Sequence, residues 1–278
     1  MVLRLQTLSR SFRRMKYLTQ TEAQNVSDFH PFVHNTQITQ LDKDLMGEEG
    51  GFTLQQLMEL AGLACAQTVQ NLYPAHTHNK VLVAAGSGNQ GGDGLVAARH
   101  LALFGYKPTL FYPKVCNRDE VSMTSSDELS QPSKNEFNQQ LETQLKHFNV
   151  PRITPEEFDK GVASNDVILD AIFGFSFKGE PRAPFDAPIE TLKQTNKPIV
   201  SVDIPSAWDV EKGNIDNKSF TPAALISLTA PKLGVKQFTG VHYLGGRFVP
   251  PYIAEKYALH LPVYPGGDQV VEIPPTSL

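Results

Sequence analysis

Three stretches carry residues whose types and spacing could do chemistry. The first is Gly86-Ser87-Gly88-Asn89-Gln90-Gly91-Gly92-Asp93-Gly94, which follows the apolar run Val81–Ala85. Five glycines in these nine residues let the backbone take positive φ and let a ligand lie directly on its N–H groups. A phosphate or pyrophosphate asks for such a loop, and the side-chain oxygens of Asn89, Gln90 and Asp93 exceed what simple phosphate cradling needs. The other two stretches are strand patterns that end in a carboxylate, Asp166–Asp170 and Pro198–Asp203. Asp170 is followed by Ala171-Ile172-Phe173-Gly174-Phe175-Ser176-Phe177-Lys178-Gly179, and Asp203 by Ile204-Pro205-Ser206-Ala207-Trp208. A single Asp after a strand is more often a helix cap than a reagent. Two of them, each before a Gly/Pro/Ser loop, favour a functional role in which a carboxylate handles protons.

The elements that must position these residues are legible in outline. Val81–Ala85 is short, unbroken and β-branched at two positions, as a parallel strand buried on both faces would be. Helical composition resumes at Leu95 and runs to Phe104, which aims a helix N-terminus at any bound anion. A second strand is expected at Pro108–Tyr112, another at Ala224–Thr229 before Ala230-Pro231-Lys232, and a final edge strand at Arg247–Val249. Lys232 is balanced between a phosphate partner and a surface lysine. Thr53 and Gln56 form a capping box that opens a helix from Leu54 to Tyr73 with an apolar stripe facing the sheet. Phe137, Leu141, Leu145 and Phe148 mark another amphipathic helix, and Thr154–Phe158 begins a shorter one. Asp28–Gly51, with His30 and His34, and the polar stretch Asn117–Lys134 read as surface loops. Such a chain predicts an α/β fold, a three-layer Rossmann-like sandwich with a mostly parallel central sheet and helices on both faces. Ligands of open parallel sheets bind outside the carboxyl ends of the strands, so Asp170 and Asp203 should face the glycine-rich loop.

Bulk properties narrow the function classes. With 25 basic and 29 acidic side chains in 278 residues, the chain has no basic footprint for nucleic acid. Cys65 and Cys116 make neither a metal spacing nor a disulfide framework. No apolar run approaches the roughly 18 residues of a membrane span. Residues 1–16 hold Arg4, Arg10, Arg13, Arg14 and Lys16, with no acid before Glu22, which is the composition of a mitochondrial transit peptide. A start at Met15 would leave a cytoplasmic product. We expect a single domain over 17–265, with Thr19 and Glu22 at capping-box spacing near its start, and a short tail over 266–278. Gly86–Gly91 also matches the dinucleotide fingerprint G-x-G-x-x-G, yet the second strand ends in Pro113-Lys114 where a dehydrogenase would place its ribose-binding acid.

Taken together, Tyr17–Ala23, Gln56–Gly62, Gly88–Leu101, Asp170–Gly179, Val200–Gly213 and Leu228–Lys232 make the sequence closely resemble the NAD(P)H-hydrate epimerase family. These proteins are built on the YjeF N-terminal domain, and their animal members are also known as apolipoprotein A-I-binding proteins. The resemblance implies a homodimer with a bound potassium ion, K+, whose substrate is NADH or NADPH hydrated at C6 of the nicotinamide ring. It implies interconversion of the R and S forms, for repair by a separate dehydratase. Carried over by position, Asn89, Gln90, Gly91, Gly92 and Asp93 would hold the dinucleotide. Gly174, Phe175, Ser176, Phe177, Lys178, Gly179 and Glu180 would wrap its phosphates, and Asp203 would contact the reacting end as acid/base. Gln90, Asp170 and Ser206 stand at the potassium ligands. Gln90 replaces the usual Asn, Ser87 a Pro, and Ala207 a Gly that would suit positive φ. The rival readings are a non-catalytic dimeric scaffold of the same fold and, more remotely, a dehydrogenase.

Overall fold

A computed structural model describes residues 35–113 and 134–273. The basic segment 1–16, the Thr19–Glu22 cap, His30, His34, Cys116 and nearly all of the polar stretch after Asn117 lie outside the described residues. An eight-stranded sheet runs in the order β3-β2-β1-β4-β5-β6-β7-β8. Its strands are β1 (Lys80–Ala85), β2 (Lys107–Phe111), β3 (Arg152–Ile153), β4 (Val167–Ala171), β5 (Ile199–Val202), β6 (Ala224–Leu228), β7 (Val241–Gly245) and β8 (Val270–Ile273). All neighbours pair in parallel except β7 with β8. The expected three-layer α/β architecture is therefore present, and the strand order reverses between β1 and β4. That reversal opens a crevice where ligands bind in doubly wound sheets.

Alternation along each strand separates the two faces. Val81, Val83 and Leu169 point into one core, where they meet Ala64, Val69, Leu95 and Leu101 of helices α2 (Leu54–Leu72) and α3 (Asn89–Leu103). Helix α4 (Lys134–His147) adds Phe137, Leu141 and Leu145 to that side. Leu82, Ala84 and Ile168 point the other way, toward Phe158, Val162, Ile189 and Leu192 of α5 (Phe158–Ser164) and α6 (Asp186–Gln194). The Thr53–Gln56 capping box starts α2 as expected, with both reciprocal bonds formed.

The structure corrects the sequence reading at three elements. Within the expected loop Asp28–Gly51 lies helix α1 (Asn35–Met46). Its apolar residues are few, but Leu41 and Leu45 are buried against Ile253 of α7 (Pro251–Lys256), and burial of that stripe outweighs a polar composition. Arg247–Val249 is not a strand. Pairing with β6 is taken by Val241–Gly245, and the chain leaves the sheet at Gly246, φ +91°. The expected tail after residue 265 contains β8, whose Val271 and Ile273 pack on Leu244 and protect the sheet edge.

Helices α2 and α3 approach closely because Gly62 has no side chain. A Cβ there would lie 2.5 Å from Val96 Cβ and 2.8 Å from the Asp93 carbonyl oxygen. Gly62→Ala is expected to lower stability by about 1–3 kcal/mol, read as a reduced urea midpoint at unchanged slope.

Candidate active site

The loops leaving the carboxyl ends of β1, β4, β5 and β6 meet at the crevice. After β1 the chain spans Gly86–Gly88 and enters α3 at Asn89, so Asn89–Gly94 form the first turns of the helix rather than a loop before Leu95. The reason is room: a Cβ on Gly91 would sit 1.7 Å from the Gly86 carbonyl oxygen, and only glycine lets the helix begin so close to the strand. Gly88 caps the helix without a side-chain bond, and no acid occupies the first turn. Its opening N–H groups and dipole are thus left for an anion. Gly91 and Gly92 are buried beneath this turn, whereas Asn89, Gln90 and Asp93 line a cavity of about 430 Å³.

Asp170 sits at the next strand end, fully buried. Its carboxylate accepts from Ser201 Oγ at 2.8 Å, Ser206 N at 3.0 Å, Ser206 Oγ at 2.5 Å and Ile172 N at 3.3 Å. Burial raises its pKa while these hydrogen bonds pull it down. Ser206 Oγ in turn accepts from Phe173 N at 2.9 Å, and Gln90 Nε2 donates to the Phe173 carbonyl at 2.8 Å. That bond leaves Gln90 Oε1 buried with no partner. A Cβ on Gly174 would come within 2.6 Å of the same oxygen, so Gly174 keeps its surroundings open. The structure therefore links Gln90 and Ser206 through the Phe173 peptide, and Ser206 in turn to Asp170.

Asp203 follows β5 with φ +61°, a left-handed conformation in a non-glycine residue. Its N–H still donates to Ile226 O, so the kink turns the side chain toward β6 without breaking the ladder. There Oδ1 accepts from Leu228 N at 3.1 Å and forms an ion pair with Lys232. Lys232 Nζ also donates to Leu228 O at 2.9 Å and lies 5.8 Å from the Phe175 ring centroid. Lys232 is not a surface lysine; it is 2% exposed, lines the cavity and provides the counter-charge of Asp203.

Residues 174–180 divide. Gly174, Phe175 and Ser176 line the cavity that holds Asp203. Phe177, Lys178, Gly179 and Glu180 line a neighbouring depression of about 590 Å³, with Lys178 exposed. Sequence reasoning missed Asp42, which enters the main cavity from α1 together with Ile38, Thr39 and Met46. Once Asn35–Met46 is a helix, positions 38, 39, 42 and 46 share one face. Burial pushes the Asp42 pKa up to about 6, Lys232 opposing and Asp203 reinforcing. Asp93 is raised as well, first by burial and then by the charges of Asp203 and Asp42, against Lys232. Among the described residues no group of three His, Cys, Asp or Glu is arranged to hold a metal. Asp42, Asp93 and Asp203 thus lie within electrostatic reach of one ammonium, Lys232.

Residues 54–234 match a family profile described as YjeF-related protein N-terminus. The chain belongs to this family. Among its relatives, the NAD(P)H-hydrate epimerase of Puccinia graminis f. sp. tritici is 52% identical over 93% of this chain and 94% of its own length. The NAD(P)H-hydrate epimerase of Mycosarcoma maydis is 50% identical over 84% of each. The crystal structure of yeast ynu0 superposes with a TM-score of 0.76 at 43% identity, covering 87% of this chain and 99% of that one. Both strand-end carboxylates, the glycine-rich helix start and most of the cavity lining of this YjeF-related chain lie inside the matched residues, whereas Ile38, Thr39, Asp42 and Met46 precede them and Phe248 follows. Ala207, beside the site, has φ +68°, so its methyl group is held in the region that favours glycine. Ala207→Gly should stabilise the protein by about 0.5–1 kcal/mol, measured by urea denaturation.

Proposed function

We propose that this chain is an NAD(P)H-hydrate epimerase, an isomerase that interconverts the R and S forms of NADH and NADPH hydrated at C6. Relatives at 52% and 50% identity that bear this name support the reading. The single observation that carries it is the buried Asp203–Lys232 pair, set in a cavity beside an α3 N-terminus open to the substrate's phosphates.

The substrate dictates what the residues must do. C6 bears a hydroxyl and is bonded to N1, whose lone pair can form a C6=N1 bond as the C6–O bond breaks. Protonation lets the hydroxyl leave as water. A water then adds to the opposite face of the iminium, giving one proton to a base, and the C=N electron pair returns to N1. The centre inverts, nothing is oxidised or reduced, and one proton passes from an acid to a base. Asp203 is one of these proton-handling groups, held in place by Leu228 N and Lys232. Asn89, Gln90, Gly91, Gly92 and Asp93 hold the dinucleotide, with Gly174–Glu180 and the Lys178 charge at its phosphates.

Potassium belongs to the same proposal, because the donor set fits it. A buried carboxylate needs a pairing charge, yet Asp170 forms no ion pair with Lys, Arg or His among the described residues. Gln90 Oε1 lies buried and unpartnered nearby. When bound, the ion supplies positive charge beside the substrate. Gln90, Asp170 and Ser206 would hold it; Phe173 bonds to Gln90 and to Ser206, and Ser206 bonds to Asp170. A homodimer, a dehydratase that consumes one epimer, and mitochondrial and cytoplasmic location complete the reading.

The decisive assay adds the protein to an R/S mixture of NADPH hydrate while an epimer-specific dehydratase consumes one form; accelerated loss of the residual form is expected. No acceleration by a folded protein that binds dinucleotide would leave the scaffold reading. Asp203→Asn should abolish epimerisation while keeping dinucleotide binding within about tenfold, and equal loss of both would rule out its chemical role. Exchanging choline for potassium at equal ionic strength should lower Tm. Ser206→Ala should remove that difference.

A further inference from the structure

Inversion at C6 needs two proton-handling groups, one for the face the hydroxyl leaves and one for the face the water enters. Asp203, already placed at the strand ends, supplies only one. We propose that Asp42 of α1 is the second, and that substrate binds between α1 and the strand ends so that each face of the ring meets one carboxylate. This rests on the epimerase reading.

The geometry that supports it begins with the origin of the two side chains. Asp203 and Lys232 come from the loops after β5 and β6, and Asp93 from the second turn of α3. Helix α1 belongs to neither layer of the sheet. It is held from outside: Leu41 and Leu45 pack on Ile253, and Asp44 joins Tyr257 Oη at 2.6 Å and Lys256 Nζ at 2.8 Å, while Lys256 also reaches Glu49 at 2.9 Å. Those contacts clamp one side of α1 to α7. The side bearing Ile38, Thr39, Asp42 and Met46 is left as a wall of the cavity. Ile38 is anchored against Ala230, close in sequence to Lys232, so this wall is registered to the strand-end loops. The cavity is thus bounded by a carboxylate on a helix and a carboxylate on the sheet.

Charge balance assigns the roles. Asp42, Asp93 and Asp203 share one ammonium, Lys232, and no other charged side chain contributes to the shift at Asp42. Lys232 is committed to Asp203, which serves as the base. Asp93 is raised too, first by burial and then by the charges of Asp203 and Asp42, so it favours its protonated form. Asp42, raised to about 6, is the carboxyl that can both hold and release a proton near neutrality, and it acts as the acid. In the reverse direction the two exchange roles, with solvent restoring the proton between turnovers.

The test is kinetic, on the full-length protein. Asp42→Asn should lower kcat at least a hundredfold while changing KM less than about threefold. Wild-type kcat/KM should fall as pH rises through about 6, where Asp42 loses its proton, and the Asn variant should lack that inflection. Asp42→Glu should recover part of kcat. Asp44→Asn, which loosens the α7 clamp on the other side of α1, should lower Tm and keep the inflection, separating chemistry from support. Asp42→Asn with near-normal kcat, or with a reduced kcat and the inflection intact, would overturn the assignment. A wild-type protein that does not epimerise at all would instead overturn the reading on which it rests.

Discussion

A charged carboxylate in a protein interior has to be met by donors or by a counter-charge, and Asp170 shows what that requirement organises. Fully buried at the end of β4, it collects hydrogen bonds from Ser201, Ser206 and the Ile172 N–H. Satisfying it fixes the loop after β5 onto the loop after β4. Ser206 then receives the Phe173 N–H, and the Phe173 carbonyl receives Gln90 from α3. One buried charge therefore couples three neighbouring strand ends at the point where the sheet reverses direction. Desolvation would otherwise make such a group expensive, by several kcal/mol for an ion without partners. The hydrogen bonds reduce that cost without neutralising the charge, which is why a cation fits the chemistry of this corner.

The main cavity applies the same physics with a different result. Lys232 is bonded to Asp203 and Leu228 O, and at Asp93 and Asp42 burial outweighs the opposing effect of its charge. Three carboxylates with one ammonium cannot all be ionised cheaply at low dielectric. Burial and mutual repulsion consequently favour the protonated forms of Asp42 and Asp93 beside the lysine-paired Asp203. No redox group is called for, and the reaction inferred from this arrangement moves only protons and water.

How much of this could be read from sequence depended on whether the controlling interaction was local. β1, its glycine-rich sequel and the Asp170 and Asp203 strand ends were legible because buried parallel strands leave continuous apolar runs. The topology then places their ends together. Helix α1 was not legible, since its polar positions outnumber Ile38, Leu41 and Leu45 and the buried partners of these, Ala230 and Ile253, are about 200 residues away. The same is true of β8, which follows Gly266-Gly267 and gains its identity only from β7. Lys232 was undecidable for a related reason: its chemistry is set by Asp203, 29 residues earlier. Asp42 was missed because its element was missed.

Backbone strain shows how closely site and fold are tied. Asp203 and Thr229 follow adjacent strands, and both adopt left-handed φ, +61° and +68°. For a β-branched residue such as Thr229 this is costly, on the order of 1–3 kcal/mol. Each kink is held by a ladder bond that survives it, Asp203 N to Ile226 O and Thr229 N to Gly245 O. The strain therefore does not disrupt the sheet, and both residues line the cavity. For Asp203, the kink delivers the carboxylate to Leu228 N and Lys232 and into the cavity. Left in extended geometry, the residue would continue the strand and point into a sheet face instead. At Asp203 and Thr229 a violated backbone preference thus coincides with the point where the chain leaves a strand and enters the cavity wall, and the sheet's hydrogen bonds hold both there.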